Sequence, residues 1–224
     1  MPVPPIGDHT VRRAVAALQA GAPIAIPLPS PMPYTITGTE AAAVNSAKGR
    51  AADQPVGLTV RDIDVVAPYL DVAEEMLPMV RWLGESEMVS LLAPVRPGGP
   101  RWLRPATHDG MLFFASIPWI PEFAGILAEF GHLYMSSANL TGSRPTTTAA
   151  ETRAAFGDRL LVVDGDRLRD GTRPHGSTTM VRMNSCGELA VARSGINNAA
   201  FGSDSAAYAT DLAKRWSSPA DTSR

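Results

Sequence analysis

The chain is poor in cysteine and lysine and has no strong excess of charge. Its 224 residues include a single cysteine, Cys186, which excludes an intramolecular disulfide and is compatible with a reducing cytoplasm. Lys48 and Lys214 are the two lysines among 20 basic residues, so a lysine inside a motif suggests that a compact ammonium group is needed there. The net charge of -2 gives no global attraction to nucleic acid, and RNA binding would need a local basic surface.

The sequence also lacks segments that are typical of secretion or membrane insertion. The first ten residues, MPVPPIGDHT, lack the basic start and apolar stretch of a signal peptide. The most apolar region, residues 110–130, is interrupted by Pro118, Pro121 and Glu122, which makes it a poor membrane span. We therefore predict a soluble, cytoplasmic protein with no membrane partner.

The commonest nucleotide, hydrolase and metal motifs are absent. There is no GxxxxGK[ST] phosphate loop, no GxGxxG and no GxSxG elbow. The four histidines are widely spaced, and we predict no metal-ligating residues. Residues 164–171, DGDRLRDG, resemble a calcium loop, but Leu168 stands where a ligand oxygen is required and no glutamate closes the loop. We interpret this segment as a polar turn.

Apolar runs of strand length alternate with stretches of helix length. Strands are predicted at residues 23–27, 56–60, 88–93, 112–117, 133–135, 160–163, 178–183 and 189–192. Helices are predicted at residues 10–20, 39–50, 72–83 (bent at Pro78), 121–130, 148–156 and 206–216. The proline-dense residues 27–34 are predicted to form an extended loop. With 45% hydrophobic and 19% charged residues, the alternation predicts one globular α/β domain.

The stretch SSANLTGSRP, residues 136–145, follows one of the predicted strands. Its hydroxyl and amide groups can donate and accept hydrogen bonds, and its small residues leave room for a bulky ligand such as a nucleotide. These polar residues are Ser136, Ser137, Asn139 and Thr141. A tight turn is the alternative interpretation of the same composition.

Four short motifs occur in an order and spacing that resembles the YrdC-like family, which includes the threonylcarbamoyl-AMP synthases of tRNA modification. They are KGR (48–50), SANLTG (137–142), GSTTMV (176–181) and ARSGI (192–196). The resemblance covers residues 10–196 and implies a single α/β domain in which a twisted, mixed sheet, flanked by helices, lines a concave cleft. Residues 1–9 would form an N-terminal arm, and residues 197–224 a C-terminal extension that we predict to be disordered from residue 217.

The resemblance also implies a reaction. In the synthases, the amine of L-threonine takes up bicarbonate or carbon dioxide, and the resulting carbamate attacks the α-phosphate of ATP and releases pyrophosphate. Cations must neutralise the triphosphate, with magnesium assisting. We therefore predict a nucleotidyltransferase that uses ATP, Mg²⁺, bicarbonate and a small amino acid or amine, in tRNA threonylcarbamoylation or with another acceptor.

Site residues follow from the resemblance, residue by residue. Lys48 and Arg50 would hold phosphate oxygens and serve as the catalytic cations. The nucleotide site would be completed by Ser137, Asn139, Thr146 (in place of a serine) and Arg193. Ser30 and Ser177 would bind the small substrate, with Ser177 facing the amino-acid carboxylate.

Departures from the family pattern concentrate in the small-substrate half of the expected cleft. Residues 27–30, PLPS, replace a PTDT-type loop and keep one hydroxyl, at Ser30. Gln54 replaces a lysine, Thr59 a histidine and Ser116 an arginine. We expect the substrate between Ser30, Ser116 and Ser177, and the losses make ATP a firmer expectation than threonine.

Two alternative functions fit the same resemblance. One is a non-catalytic YrdC-like module that binds nucleotide or double-stranded RNA through the concave sheet, with tRNA or double-stranded RNA as the partner. The arginine content favours RNA, whereas the acidic balance disfavours strong binding. The other is a regulatory paralogue whose site has decayed.

Overall fold

The computed structural model describes residues 8–217, which are organised around one sheet of ten strands. In chain order the strands are β1 (Ile24–Pro27), β2 (Tyr34–Gly38), β3 (Gly57–Val60), β4 (Ser90–Pro94), β5 (Thr107–His108), β6 (Met111–Ala115), β7 (His132–Ser137), β8 (Leu161–Val162), β9 (Met180–Met183) and β10 (Leu189–Arg193). The helices are α1 (Asp8–Gln19), α2 (Ala41–Ala47), α3 (Leu77–Glu85), α4 (Ala124–Phe130), α5 (Ala149–Phe156) and α6 (Ser205–Ser217).

The sheet is mixed. Its strands lie in the order β10-β9-β4-β6-β3-β7-β2-β1-β8, and β5 pairs with β6. The pairs β1–β8, β3–β6 and β4–β9 are parallel, and the other pairs are antiparallel. The predicted α/β fold with a mixed sheet flanked by helices is therefore confirmed.

Each face of the sheet carries an apolar core. The larger core includes Ile36, Leu58 and Phe114 and is covered by side chains from α2, α3, α5 and α6. The smaller core lies on the other face, where α1 and α4 cover strand residues such as Ile26 and Leu133. Burying an apolar side chain of this size contributes about 2 kcal/mol, so the two cores fix the helices to the sheet. The smaller core leaves part of its face uncovered.

Capping residues and proline determine where two of the helices begin. Thr148 and Glu151 form a capping box at α5: the Glu151 N–H donates to Thr148 Oγ1 at 3.1 Å, and the Thr148 N–H donates to Glu151 Oε2 at 3.3 Å. The helix predicted from residue 72 begins later, at Leu77, after a 3₁₀ turn over Glu74–Met76. Pro78 therefore lies in the first turn of α3, where its missing N–H costs nothing, and does not bend the helix.

Strand β2 is the main element that the sequence prediction missed. Residues 27–34 were expected to be an extended loop, but Tyr34 already belongs to a strand whose five residues are all buried. Thr39, the first residue of the helix predicted at 39–50, lies before α2 and donates its hydroxyl to the Leu18 carbonyl at 3.2 Å, and Glu40 precedes the helix without a side-chain cap. The hydroxyl is thus used to tie α1 to the start of α2.

The predicted C-terminal helix is present as α6, and its Tyr208 and Leu212 are buried in the larger core. Ser217, which we expected to be disordered, is the last residue of α6, and its Oγ donates to the Ala213 carbonyl at 2.9 Å. The rest of the predicted disordered segment, residues 218–224, lies outside the described residues. Residues 1–7 of the predicted N-terminal arm also lie outside the described residues. Its residues 8 and 9 belong instead to α1, which begins at Asp8 rather than at Thr10.

Candidate active site

A cleft opens on the sheet face of the smaller core and encloses about 520 Å³, including its open mouth. Ser137 of β7 and Arg193 of β10 both line it. Four strands separate β7 from β10, so these strands would lie about 24 Å apart in a flat sheet. The sheet must therefore curve for both residues to face one cleft, as the resemblance implies.

Lys48 follows the last residue of α2 and directs its ammonium at the end of β7. Its Nζ donates to the Ser137 carbonyl and, at 2.9 Å, to Asn139 Oδ1. Ser137 Oγ donates to the same Asn139 oxygen at 2.6 Å. Gly49, with φ of +67°, allows the chain to turn immediately after Lys48. Residues from two separate motifs, KGR and SANLTG, are thus brought into direct contact.

The Lys48 ammonium is buried, with 4% of the residue exposed. Burial, with a smaller contribution from the nearby Arg50 charge, lowers the pKa of Lys48 to about 8. Within residues 8–217, its hydrogen-bond partners are neutral oxygens and no carboxylate pairs with it. A buried cation without a counter-ion is a favourable neighbour for an anionic ligand.

Arg50 does not join this cluster. Its guanidinium folds back on the turn after α2, donating to Asn45 Oδ1 from Nη2 at 2.6 Å and from Nε at 3.1 Å, and to the Pro55 carbonyl at 3.2 Å. Asn45 in turn donates to the carbonyls of Ala52 and Gln54. The arginine therefore stabilises the loop that follows Lys48, and its role at the nucleotide stays a prediction.

Thr146 lies behind the SANLTG segment rather than at the cleft surface. It is 9% exposed, and its hydroxyl shares a hydrogen bond of 2.8 Å with Thr152 of α5. Its backbone N–H donates to the Ala138 carbonyl, and its carbonyl accepts from Tyr34 N–H. Thr146 thus stabilises the SANLTG turn through its contacts with Ala138, Tyr34 and Thr152. Its contact with a nucleotide also stays a prediction.

The GST and ARSG motifs meet at the opposite wall. Arg193 Nη2 donates to the Thr178 carbonyl at 3.2 Å, and the Ile196 N–H donates to the Ser177 carbonyl at 2.8 Å. A Cβ at Gly195 would lie 2.4 Å from Ser177 O, so this close approach requires glycine. Ser177 and Arg193, both predicted site residues, therefore lie in one wall.

Ser30 lies outside the cleft lining, in a loop clamped to residues 169–176. Its Oγ is 3.0 Å from His175 Nε2 and accepts from the Asp170 N–H at 2.9 Å. The Gly176 N–H donates to the Pro31 carbonyl at 3.0 Å. Burial, with the Arg169 charge, lowers the pKa of His175, which favours the neutral ring. Ser30 therefore holds the loop in place; substrate binding by Ser30 stays a prediction.

The three departures outside that loop occupy different environments. Gln54 is exposed. Thr59 is buried, and its hydroxyl accepts from Trp119 Nε1 at 3.2 Å. Ser116 is also buried and was expected to face the substrate, but its Oγ faces Gly84 of α3 and has no hydrogen-bond partner in the described chain. That expectation is wrong, because side chains alternate along this segment and Ile117 is the neighbour that lines the cleft.

A half-buried contact that the sequence prediction missed joins Tyr34 to Asp166. The Tyr34 hydroxyl donates to Asp166 Oδ1 at 2.6 Å, and burial together with this bond raises the pKa of Tyr34. The Ala149 N–H at the start of α5 donates to both Asp166 oxygens, and the Arg169 guanidinium lies 5.4 Å from the centre of the Tyr34 ring. Residues 164–171 are thus a turn, as predicted, but one that holds α5 and β2 together.

Comparison with known proteins identifies the family to which this chain belongs. Residues 16–195 match the profile of the Sua5/YciO/YrdC family, which is described as "Telomere recombination". The chain belongs to the Sua5/YciO/YrdC family. A candidate threonylcarbamoyl-AMP synthase of Mycobacterium tuberculosis (strain H37Rv) is 30% identical over 159 residues, 66% of this chain and 69% of that protein.

Two further family members extend the comparison. The threonylcarbamoyl-AMP synthase of Klebsiella pneumoniae is 30% identical over 123 residues, 53% of this chain and 62% of that protein. The crystal structure of P. abyssi Sua5, complexed with L-threonine, has a TM-score of 0.63 at 19% identity. The match covers 83% of this chain and 54% of the P. abyssi protein, so the present chain corresponds to about half of it.

Neither a metal centre nor a membrane span is found in the part of the chain that the structure describes. No cluster of three or more His, Cys, Asp or Glu side chains in residues 8–217 could hold a metal ion. None of the six described helices is long and apolar enough to cross a membrane. Mg²⁺ and the cytoplasmic location stay predictions.

Proposed function

We propose that the protein is an ATP-dependent enzyme that forms a carbamoyl-type adenylate in the cleft between Ser137 and Arg193. Its substrates are ATP, bicarbonate and an amino acid, and its products are the acyl adenylate and pyrophosphate. Family membership supports this proposal, since relatives are named threonylcarbamoyl-AMP synthases and one Sua5 structure contains L-threonine. The predicted tRNA and double-stranded RNA partners are not part of it.

The observation that carries the proposal is the buried, unpaired ammonium of Lys48 behind Ser137. Keeping a charged lysine away from water is unfavourable unless an anion compensates it. Its neutral partners in the described chain orient the ammonium without cancelling its charge. A phosphate group at the Ser137 end of the cleft would supply the missing negative charge.

The two walls divide the reaction between them. The amine adds to bicarbonate with loss of water, and the carbamate oxygen then bonds to the α-phosphorus of ATP while the bond to pyrophosphate breaks. Lys48 and Asn139 act at the Ser137 end, and Arg193 supplies the second cation from the opposite wall. Ser177, in the wall of Arg193, faces the amino-acid carboxylate. Catalysis then consists of positioning and charge neutralisation.

Magnesium would enter this reaction with ATP. The described residues that line the cleft carry hydroxyls but no carboxylate, and they do not form a cation site of their own. Mg²⁺ favours phosphate oxygens and water as ligands. No step of the proposed reaction therefore depends on a protein-bound metal.

Pyrophosphate release tests the proposal directly. The purified protein, given ATP, Mg²⁺ and bicarbonate, should release pyrophosphate when a suitable amino acid is added, and calorimetry should detect ATP binding. Release must depend on both bicarbonate and the amino acid. ATP binding without release for any of the twenty amino acids would contradict the enzymatic proposal and favour the nucleotide-binding module. Absence of ATP binding as well would contradict both.

A further inference from the structure

Five apolar residues belong to the cleft lining: Leu28, Pro33, Phe113, Ile117 and Met135. Leu28, Ile117 and Met135 are at most 7% exposed. Ile117 and Met135 also form a small apolar cluster with Ala115, against which Met88 packs. These packing contacts hold Ile117 and Met135 in place, so the cleft offers a substrate a preformed apolar contact.

Of the six hydroxyl side chains that line the same cleft, four hydrogen bond within the protein, and the other two are Ser136 and Ser177. Thr35 Oγ1 donates to the Ser136 carbonyl at 2.8 Å, and Ser137 Oγ donates to Asn139. Ser90 and Thr178 hydrogen bond to each other at 2.6 Å, which uses one of their two protons. Because Ser177 is assigned to the amino-acid carboxylate, a side-chain hydroxyl of the substrate that packs against Ile117 and Met135 would face mainly apolar atoms.

Charge in the lining is confined to one position. Of the described residues that line the cleft, Arg193 is the one that is charged, and none is a carboxylate. The proposed reaction places anionic groups of ATP near Arg193. The amino acid must react as the neutral amine, and a wall without carboxylates does not hold it as the ammonium.

We propose that the amino acid converted to the carbamate has an apolar side chain, of the size of valine, leucine, isoleucine or methionine, that packs against Ile117 and Met135. This inference rests on the proposed function and names its substrate class. A hydroxyl placed against these side chains loses its hydrogen bonds to water without replacement. An apolar pocket discriminates against such a hydroxyl by about tenfold to a hundredfold in kcat/KM.

The ranking of amino acids by kcat/KM for pyrophosphate release tests this inference in the unmodified protein. At least one of the four apolar amino acids should exceed threonine and serine by about tenfold or more. Turnover with threonine or serine as the best substrate would overturn the inference and leave the proposed function intact. Absence of turnover with all twenty amino acids would overturn the proposed function and this inference with it.

Matched substitutions test the contact itself. Met135→Gln keeps the side-chain length but adds an amide to the cleft wall, so the apolar-to-threonine ratio of kcat/KM should fall at least about threefold. Met111→Gln makes the same change in a half-buried residue at the far end of β6 and should leave the ratio unchanged. An unchanged ratio in Met135→Gln, or an equal fall in both variants, would overturn the inference.

A second variant covers the case in which Met135→Gln does not fold, which circular dichroism would show. Ile117→Val removes one methyl group from the lining, so the preference should move towards the longer side chains, leucine and methionine, relative to valine. A movement of about threefold or more in that ratio is expected for one methylene. No movement would overturn the inference.

Discussion

The polar and the apolar parts of the cleft are built on different principles. At the Ser137 end, a buried ammonium is held by a backbone carbonyl and an amide, and hydrogen bonds fix its position. Within the same cleft, Leu28, Ile117 and Met135 present apolar surface, and Ile117 and Met135 are held by packing in a small apolar cluster. The difference teaches that recognition of phosphate depends on a few directed bonds, whereas selection of the amino acid depends on shape and on the lack of free hydrogen-bonding groups.

The largest expected effect is on the Ser137 wall. Lys48→Ala should weaken ATP binding about tenfold to a hundredfold, because a hydrogen bond to a charged group is worth about 1.5–3 kcal/mol. Lys214→Ala, at an exposed position on α6, is the matched control and should leave ATP binding unchanged. Calorimetric titration with ATP measures both. Similar affinities for the two variants would show that Lys48 does not serve the cleft.

The next effect concerns pH. The pKa of Lys48 is lowered from 10.5 to about 8, so its ammonium is present below pH 8 and lost above it. ATP affinity should therefore fall by about tenfold between about pH 7 and pH 9.5, because the charged donor is lost. The groups that contact the ammonium, Ser137 and Asn139, do not titrate, and Arg50 stays charged.

Two comparisons check the assignment of this pH effect. Lys48→Arg keeps its charge over the same range and should lose the pH dependence, whatever its affinity. In the ligand-free protein, stability should change with pH in the direction opposite to ATP affinity. Between pH 8 and 10.5 Lys48 binds more protons in the unfolded chain than in the folded chain, so its contribution to the free energy of unfolding rises with pH. Equal pH profiles for the unmodified protein and the Lys48→Arg variant would refute the assignment.

A smaller effect, on stability, is expected at Tyr34, which is not part of the cleft lining. Tyr34→Phe removes the hydrogen bond to Asp166 and should lower the free energy of unfolding by about 1–2 kcal/mol, while ATP affinity changes little. Urea denaturation measures the loss. Tyr69→Phe is the control, because that half-buried tyrosine contacts the edge of Trp102 through its ring. Equal destabilisation of both variants would contradict the role given to the Tyr34 hydroxyl.

The smallest effect is expected at Ser30. Ser30→Ala should change ATP affinity by less than about twofold, because its hydroxyl holds the loop to His175 and Asp170 and does not line the cleft. The same calorimetric titration applies. A loss as large as that of Lys48→Ala would show that the Ser30 hydroxyl serves the nucleotide site rather than the loop alone.

Much of the fold could be predicted because apolar runs of strand length are visible in the sequence. Strand β2 was not visible in this way, since it follows a proline-dense passage and contains two threonines. Their hydroxyls donate across the sheet, from Thr35 to the Ser136 carbonyl and from Thr37 to the Tyr134 carbonyl. Polar residues can therefore be buried in a central strand, but their partners lie about a hundred positions away.

The candidate site shows the same limit. The contact between Lys48 and Ser137 was anticipated because both belong to motifs whose joint occurrence resembles a family. The contact between Tyr34 and Asp166 carries no comparable signal: the residues are 132 positions apart, and each has an ordinary local explanation. The direction of Ser116 depended on how side chains alternate at the end of β6 and just after it, which a short motif does not reveal.

The packing around Ser116 also limits which substitutions this position can accept. The residue that faces Ser116 is Gly84, where even a single Cβ would lie 1.9 Å from the serine oxygen. A longer side chain at position 116 would meet α3 unless the helix moved. Packing on the side of the sheet away from the cleft therefore restricts this position to small side chains, whatever selection acts on the cleft.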